Sequence, residues 1–317
     1  MSTRTLQHSP RVLPLYARAA APLIPGASLL PFIPGGGGEI PELDLSQAGV
    51  KADPAKVAAY AKVCGFALRD RLPPTYPHVL AFPLQMAVMA DGGFPFGAVG
   101  LIHLENRIVQ HRRIGFGEEM TIRVRPTKLE PHPKGHTFSL LTDVRCGRSK
   151  VWESESTMLR RGKADPNAFP SGMRREMRSQ ASGDGEDRDE LPVSAEWRLA
   201  GDLGRRYASV SADRNPIHMH VFSAKPLGFP GAIAHGMWTK ARCLAALESD
   251  LPDSFAVEVS FRKPIVLPAR VAFGCTGTGE VIDFEVRDVK RGTPHLRGRV
   301  QPVAAKSKTK SRKKKAN

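Results

Sequence analysis

The sequence is poor in the residues that build cross-linked or metal-dependent folds. Its 317 residues include only four cysteines, which are far apart and form no Cys-x-x-Cys pair, and no His-Glu-x-x-His motif occurs. Pro and Gly interrupt every apolar run before the roughly 20 residues that a membrane-spanning helix needs. These absences argue against a disulfide framework and a transmembrane helix, and they predict a protein of the reducing cytoplasm.

Acidic residues are missing from the first 38 positions, which contain three arginines. A transit peptide shares that charge pattern, but it uses an amphipathic helix, which the six prolines in this stretch would break. Gly35 to Gly38 are not followed by Gly-Lys-Ser or Gly-Lys-Thr, so they do not indicate a phosphate-binding loop. We therefore predict a Pro/Gly-rich arm over residues 1–49 that packs over the folded body.

Positive charge predominates, with 47 Lys and Arg residues against 31 Asp and Glu residues and a formal net charge of +16. Seven of the basic residues lie within residues 303–317, a tail that we predict to be disordered because its like charges repel. Such a tail attracts nucleic acid or other anions weakly and without specificity. The remaining positive charge is compatible with the phosphates of coenzyme A or the acidic face of an acyl carrier protein.

An internal repeat organises the chain. A helix that Asp53 can cap and that Gly65 ends carries the motif Tyr-Ala-x-Val at Tyr60, and the same motif recurs at Tyr207. A loop, a second helix and several antiparallel strands are predicted to follow each copy. Alternation typical of strands is clear in the second copy, at the apolar positions Val257, Val259, Phe261, Ile282, Phe284 and Val286.

Each copy is predicted to form an α+β unit in which an antiparallel sheet wraps around a helix. The first unit spans residues 50–163 and the second spans residues 194–302. Residues 164–193 are polar, lack periodicity and contain a dense run of charge, so we predict a linker there.

The stretch 207–238 contains a tight cluster of groups suited to chemistry. Asp213 and His218 lie five residues apart, with Asn215 and Pro216 between them. Asn before Pro disfavours helical backbone, and Asp and Asn favour turns, so one rigid turn is expected to present the carboxylate and the imidazole. Such a pair can hold a water, with one group taking a proton while the other orients the water or returns a proton.

Downstream of this loop, a mostly buried helix is predicted to begin at Gly236, directly after His235. The first N–H groups of a helix are unpaired, the macrodipole is positive there, and a glycine lets a substrate oxygen approach the backbone closely. A carbonyl that gains negative charge in a transition state would be stabilised at this position, where one oxyanion donor contributes about 3–4 kcal/mol.

The pattern Tyr-Ala-x-Val-Ser-x-Asp-x-Asn-Pro-Ile-His, followed by Ile-Ala-His-Gly-Met, resembles the signature of the MaoC-like or hydratase 2 family. The two-half organisation is similar to that of the double-hot-dog (3R)-hydroxyacyl-thioester dehydratases of actinobacterial type. The resemblance implies an α+β tandem hot-dog fold. It also implies reversible conversion of (3R)-hydroxyacyl thioesters into trans-2-enoyl thioesters of coenzyme A or an acyl carrier protein, in fatty-acid metabolism.

The resemblance further implies roles for the site residues. Asp213 and His218 would be the catalytic pair, and the Gly236 N–H would be the oxyanion donor. Loop shaping or substrate positioning would fall to Asn215, Pro216 and His235. No metal or redox cofactor is expected, because conjugation to the thioester already activates C3 of the substrate.

The first half lacks the corresponding polar groups. On an ungapped alignment of the two copies, Phe66 falls opposite the aspartate of the pair, Leu68 opposite the asparagine and Arg71 opposite the histidine. A half without the acid–base pair is expected to provide apolar walls. Residues 80–90 and 94–101 would then line a tunnel for an acyl chain, or they form ordinary core, because both give the same apolar pattern.

The sequence is compatible with several alternatives. A hot-dog thioesterase also uses a carboxylate, although the Asp-x-Asn-Pro-x-His spacing argues against it. A non-catalytic protein that binds acyl thioesters or nucleic acid has no support from an RNA-binding aromatic motif. A metal site formed by His218, His220 and His235 is disfavoured because no compact acidic or Cys cluster accompanies them. The sequence leaves open the acyl chain length, the carrier, the direction of reaction and whether a homodimer forms.

Overall fold

The computed structural model describes residues 2–20, 38–162, 190–277 and 281–303. Within these ranges the chain forms twelve strands and seven α-helices. The strands are β1 (Ser2–Leu6), β2 (Leu43–Val50), β3 (Ile102–Gln110), β4 (Met120–Pro126), β5 (Glu130–His132), β6 (Gly135–Cys146), β7 (Ser149–Arg161), β8 (Val193–Leu199), β9 (Phe255–Phe261), β10 (Ala269–Thr276), β11 (Ile282–Asp288) and β12 (Pro294–Gln301). The helices are α1 (Val12–Ala20), α2 (Pro54–Cys64), α3 (Tyr76–Met89), α4 (Leu203–Ser211), α5 (Pro216–Met219), α6 (Val221–Ala224) and α7 (Gly236–Ala246).

One sheet runs through both halves of the molecule. Its strand order is β1-β2-β4-β6-β7-β3-β9-β12-β11-β10-β8, and β5 pairs with β6 beside this path. β1 is parallel to β2, and the other pairs are antiparallel. The halves meet where β3 pairs with β9, with Ile108 opposite Val257. The two predicted units are therefore fused edge to edge.

Each half packs a helix against its part of the sheet. α3 contacts β2, β4 and β6 of the first half, and α7 contacts β12 of the second. The helices that carry the repeated motif, α2 and α4, pack on each other, with the ring centroids of Tyr60 and Tyr207 6.0 Å apart. This arrangement confirms the predicted α+β architecture of two similar units.

Several elements that short sequence motifs predicted are present in the structure. Asp53 caps α2 by accepting the N–H of Ala55 at 2.9 Å, Pro54 is its first residue, and Gly65 ends it with a φ of 86°. In β9 and β11 the predicted apolar positions face inward, and Val257 and Phe284 are almost completely buried.

A strand that the sequence analysis did not predict precedes the first helix of each half. β2 pairs with β4, and β8 pairs with β10. The boundary predicted at residue 50 is the last residue of β2, so the sheet of the first half begins inside the stretch assigned to the arm. β2 alternates between apolar and polar residues only from Leu43 to Ser46, and its buried positions include Asp44, whose carboxylate pairs with Arg123 at 2.7 Å.

The rest of the described N-terminal arm is also regular. β1 extends the sheet beyond β2, and α1 packs against α3. Pro14 lies in the first turn of α1, where a residue needs no N–H donor to the preceding turn. The expectation that prolines prevent a helix in the arm is therefore wrong for Val12–Ala20.

Two predicted segments fall almost entirely outside the described residues. These are the linker at 164–193 and the basic tail at 303–317. In the part of the chain that the structure describes, no helix has both the length and the apolar character needed to cross a bilayer.

Candidate active site

The candidate loop begins where α4 ends. Ala212 adopts the left-handed conformation at a φ of 62° and turns the chain directly before Asp213. Asn215 then caps α5, since its side-chain oxygen accepts a backbone N–H at 3.4 Å, and Pro216 takes the first helical position. The short helix carries His218, so cap and turn together fix where the imidazole lies.

His218 is bound through one ring nitrogen. Its Nδ1 lies 2.8 Å from the backbone oxygen of Ile233. Because a carbonyl oxygen only accepts, Nδ1 carries the proton, and Nε2 of the neutral ring is an acceptor. Burial lowers the pKa of His218 below its ordinary value, even though the nearby Asp213 carboxylate acts in the opposite direction. His218 therefore presents a neutral imidazole that can take a proton at Nε2.

A glycine in α4 makes room for the backbone of this histidine. A Cβ on Gly204 would lie 1.9 Å from the carbonyl oxygen of His218, which is much closer than non-bonded atoms can approach. Glycine at this position therefore allows α4 and α5 to pack as closely as they do.

His235 joins the two members of the pair. Its ring stacks on that of His218, with centroids 3.6 Å apart, and its Nε2 lies 3.1 Å from the backbone oxygen of Asp213. The same nitrogen is 3.9 Å from Asp213 Oδ2. Burial and the neighbouring His218 lower the pKa of His235 to about 3. His235 is thus a neutral ring that packs against His218 and contacts the backbone of Asp213.

The carboxylate of Asp213 is held asymmetrically. Its Oδ1 accepts the N–H of Asn215 at 3.1 Å and the hydroxyl of Tyr16 at 2.7 Å, and the side chain is 28% exposed. Burial raises the pKa of Asp213, but His235, His218 and the hydrogen bond from Tyr16 outweigh it and leave that pKa below its ordinary value. The site therefore combines an ionised carboxylate with neutral imidazoles.

The donor atoms of Asp213, His218 and His235 all lie within 4.8 Å of one another. Three such groups can bind a divalent metal. Nδ1 of His218 and Nε2 of His235 engage carbonyl oxygens, which leaves the other nitrogen of each ring available to take a proton or to bind a metal. His220, considered with the other histidines in the sequence, is exposed and caps α6 instead.

Gly236 is the first residue of α7 and follows His235 directly. A Cβ at this position would lie 2.9 to 3.1 Å from ring carbons of Phe261, so close packing on β9 gives the glycine a structural reason of its own. The N–H groups of the first helical turn have no partner within the helix. The start of α7 thus lies beside the acid–base pair, as an oxyanion donor would require.

The first half contributes polar groups that the sequence analysis missed. The charge of Asp213 acts on both His78 of α3 and His103 of β3, although burial dominates and lowers their pKa values to about 4 and about 3. Among the described residues, His78 Nδ1 and His103 Nε2 are buried without a hydrogen-bond partner. Neither histidine could be predicted as a site residue, because single histidines within apolar segments follow no motif. The environment of the site is therefore not purely apolar on the side of the first half.

Lys240 was also missed. It is fully buried in α7, and its Nζ donates to Asn106 Oδ1 at 2.6 Å and to the backbone oxygens of Asn106 and Val257 at 3.0 and 3.2 Å. These bonds tie the helix that starts at Gly236 to both strands of the seam between the halves. Burial lowers the pKa of Lys240 well below its ordinary value.

Residues predicted to line an acyl tunnel are largely buried, as Leu84, Met86 and Phe94 illustrate. Both predicted alternatives, tunnel and core, require that burial. A groove of ≈ 540 Å³ lies elsewhere, among side chains of β3, β9, β11 and β12, and no residue of the candidate site lines it.

Comparison with known proteins shows which protein family has this fold and this loop. Residues 186–298 match the family described as MaoC like domain. The chain is 34% identical over 275 residues to 3-hydroxyacyl-thioester dehydratase X of Mycobacterium tuberculosis, which covers 87% of this chain and 94% of that protein. The chain therefore belongs to the MaoC-like dehydratase family, which confirms the resemblance seen in the sequence.

Solved structures agree with this assignment. A crystal structure of HtdX from Mycobacterium tuberculosis matches with a TM-score of 0.70 and 34% identity, over 82% of this chain and 100% of that chain. A MaoC-like dehydratase from Phytophthora capsici matches with a TM-score of 0.63 and 17% identity, over 83% and 96% of the two chains. A Mycobacterium tuberculosis protein described as having a double hotdog fold matches with a TM-score of 0.50 and 14% identity, over 83% and 94%. The predicted double hot-dog fold is thus confirmed.

Proposed function

We propose that this chain catalyses the reversible dehydration of (3R)-hydroxyacyl thioesters to trans-2-enoyl thioesters. One observation carries the proposal: a single loop brings an ionised Asp213 and a neutral His218 together beside the start of α7. Similarity to a 3-hydroxyacyl-thioester dehydratase supports the same reaction class.

In the direction of hydration, Asp213 and His218 hold one water. As its oxygen bonds to C3, the water loses a proton to the pair, for which Nε2 of His218 is the available acceptor. The pair returns a proton to C2, so the product has gained H at C2 and OH at C3 in a syn addition. Negative charge develops on the thioester oxygen, and the Gly236 N–H at the positive end of α7 is proposed to stabilise it.

The other site residues are assigned supporting roles. Asn215 and Pro216 shape the loop through the cap of α5, and His235 supports the pair through its ring and its bond to the Asp213 backbone. We expect no metal and no redox cofactor, because conjugation with the thioester activates C3 and the pair supplies the proton transfers.

The proposal also covers the carrier of the substrate, the cellular location and the roles of the two halves. The substrate is a thioester of coenzyme A or of an acyl carrier protein, in fatty-acid metabolism, and the enzyme works in the cytoplasm. The first half, residues 50–163, is proposed to house the acyl chain, and residues 194–302 to carry the chemistry. A homodimer and weak anion contacts by the basic tail are further expectations.

The test is the ultraviolet absorbance of the conjugated enoyl group. Short and long trans-2-enoyl-CoA thioesters are mixed with the full chain, the loss of absorbance is followed, and the product is analysed by chiral chromatography. We expect loss of the enoyl signal and a (3R)-hydroxy product. Release of free thiol at the same rate would instead indicate a thioesterase. An unchanged signal with both coenzyme A and acyl-carrier-protein substrates would contradict the proposal.

A further inference from the structure

Tyr16 reaches the acid of the proposed pair from 197 residues away in the sequence. β1 pairs with β2 from Ser2 opposite Leu43 onward, which attaches the N-terminal arm to the edge of the sheet. α1 then packs on α3, where the ring centroids of Tyr16 and Phe82 are 6.5 Å apart. The arm is therefore attached at two places, and Tyr16 is brought to the site by packed structure.

The direction of the Tyr16 hydroxyl is fixed by its two partners. Its Oη accepts the backbone N–H of Arg214 at 3.0 Å and lies 2.7 Å from Asp213 Oδ1. A carboxylate only accepts, so the single hydroxyl proton points at Asp213. Together with the N–H of Asn215, this gives Oδ1 two donors, while Oδ2 lies on the side of His235.

The charges agree with this direction of donation. Burial and the adjacent carboxylate raise the pKa of Tyr16 far above its ordinary value, so the hydroxyl keeps its proton. Burial raises the pKa of Asp213 as well, and the bond from Tyr16 is one of the contacts that reverse this effect.

We propose that Tyr16 is a positioning residue for the reaction, which holds Oδ1 of Asp213 so that Oδ2 faces the water and the imidazole of His218. This inference rests on the proposed function. The site would then be built from more than the two repeated units, because α1 lies outside both of them and its Tyr16 holds the carboxylate of Asp213.

Titratable groups from several elements face Asp213. They are Tyr16 of α1, His78 of α3, His103 of β3, Tyr207 of α4, His218 of α5 and His235 at the start of α7. Burial lowers the pKa of each of these imidazoles and keeps the rings neutral. Within this group Tyr16 is the one that donates a hydrogen bond to Oδ1. Removing its hydroxyl should therefore act on the carboxyl group directly.

The test is Tyr16→Phe, which keeps the ring against Phe82 and removes only the hydroxyl. We expect kcat for enoyl-CoA hydration to fall about 10- to 100-fold, as for one hydrogen bond to a charged group, with little change in KM. The pKa of Asp213 should rise, which ¹³C NMR of aspartate-labelled protein can follow, with Asp213→Asn for assignment. Tyr60→Phe is the matched control, because it removes a buried hydroxyl that donates to Thr75 at 2.8 Å, and it should change neither quantity.

An unchanged kcat and an unchanged Asp213 titration in folded Tyr16→Phe would overturn the inference. A lower kcat with an unchanged titration would also overturn it, because the effect would then come from packing of the arm. If the wild-type chain itself fails to hydrate enoyl thioesters, the proposed function fails. The carboxyl titration still decides in that case whether Tyr16 holds Asp213.

Discussion

The two halves end their first helix in the same way and then use the following residues differently. Gly65 ends α2 and Ala212 ends α4, and both adopt left-handed backbone, at φ values of 86° and 62°. The next residue is Phe66 in the first half, which is buried among apolar side chains, and Asp213 in the second. The backbone turn is repeated, whereas the chemistry is confined to one copy.

Packing of the helices and catalysis therefore require different residues. A turn and a packed helix pair need a left-handed residue and apolar faces, which both copies provide. An acid–base pair needs a carboxylate and an imidazole at two positions, where the first copy has Phe66 and Arg71. The first half nevertheless takes part, since His78, His103 and Asn106 lie near the site or hold the helix that borders it.

The strongest test of this division compares two neighbouring histidines. His218→Ala should lower kcat about 10²- to 10⁴-fold, the usual contribution of a general acid–base group, while the fold is retained. His220→Asn should leave kcat nearly unchanged, since His220 is exposed and asparagine can keep the cap of α6. Initial rates of enoyl-CoA hydration measure both, and equal losses in the two variants would place the chemistry elsewhere.

Close packing of the second-half loop can be tested at Gly204. Gly204→Ala should lower the free energy of unfolding by about 1–3 kcal/mol and reduce activity, because its methyl group would displace the His218 backbone. This effect should exceed the usual helix-stabilising effect of alanine. Gly201→Ala is the control, since its Cβ would meet only Pro268, at 3.9 Å. Denaturant titrations of the two variants that coincide would contradict the packing argument.

The charge states of the pair predict a pH profile. The pKa values of Asp213 and His218 are both lowered, so the carboxylate stays ionised and the imidazole neutral to lower pH than in free side chains. The acid limb of kcat/KM should therefore lie below the ordinary histidine value of 6.5. A limb above that value would show that the active imidazole is not the buried His218.

The repeated turn itself can be tested at its left-handed residue, where we expect only a small change in stability. Ala212→Gly should raise the free energy of unfolding by about 0.5–1 kcal/mol, because glycine relieves the left-handed strain. Gly65→Ala should lower it by about 1–2 kcal/mol, because alanine strains this backbone and its Cβ would also displace the guanidinium of Arg242. Thermal unfolding of both variants checks the signs, and the same sign in both would contradict the equivalence of the two turns.

Local patterns were enough to predict much of the fold and the loop. Asp53 and Gly65 marked the ends of α2, and the Asn-Pro pair marked the turn that carries His218. Such signals work because caps and turns depend on residues within a few positions of each other. β2 escaped prediction because its apolar–polar alternation covers only Leu43 to Ser46 and stops at Gln47, Ala48 and Gly49.

Contacts across long sequence separations could not be predicted in this way. Tyr16 and Asp213 are 197 residues apart, and neither flanking sequence indicates the other. Lys240 was expected only as part of a helix, since nothing around it specifies acceptors on β3 and β9. These partners come into contact only when the two halves pack together. The periodicity of a single sequence does not predict which residues meet in that way.

The most direct test measures enoyl-CoA hydration by two variants, Asp213→Asn in the second half and Arg71→Ala in the first. Arg71 holds the position of the first copy that corresponds to His218. We expect a loss of about 10²-fold or more for Asp213→Asn, with wild-type rates for Arg71→Ala and folded protein in both cases. Retained activity in Asp213→Asn would contradict the claim that the loop of the second half performs the chemistry.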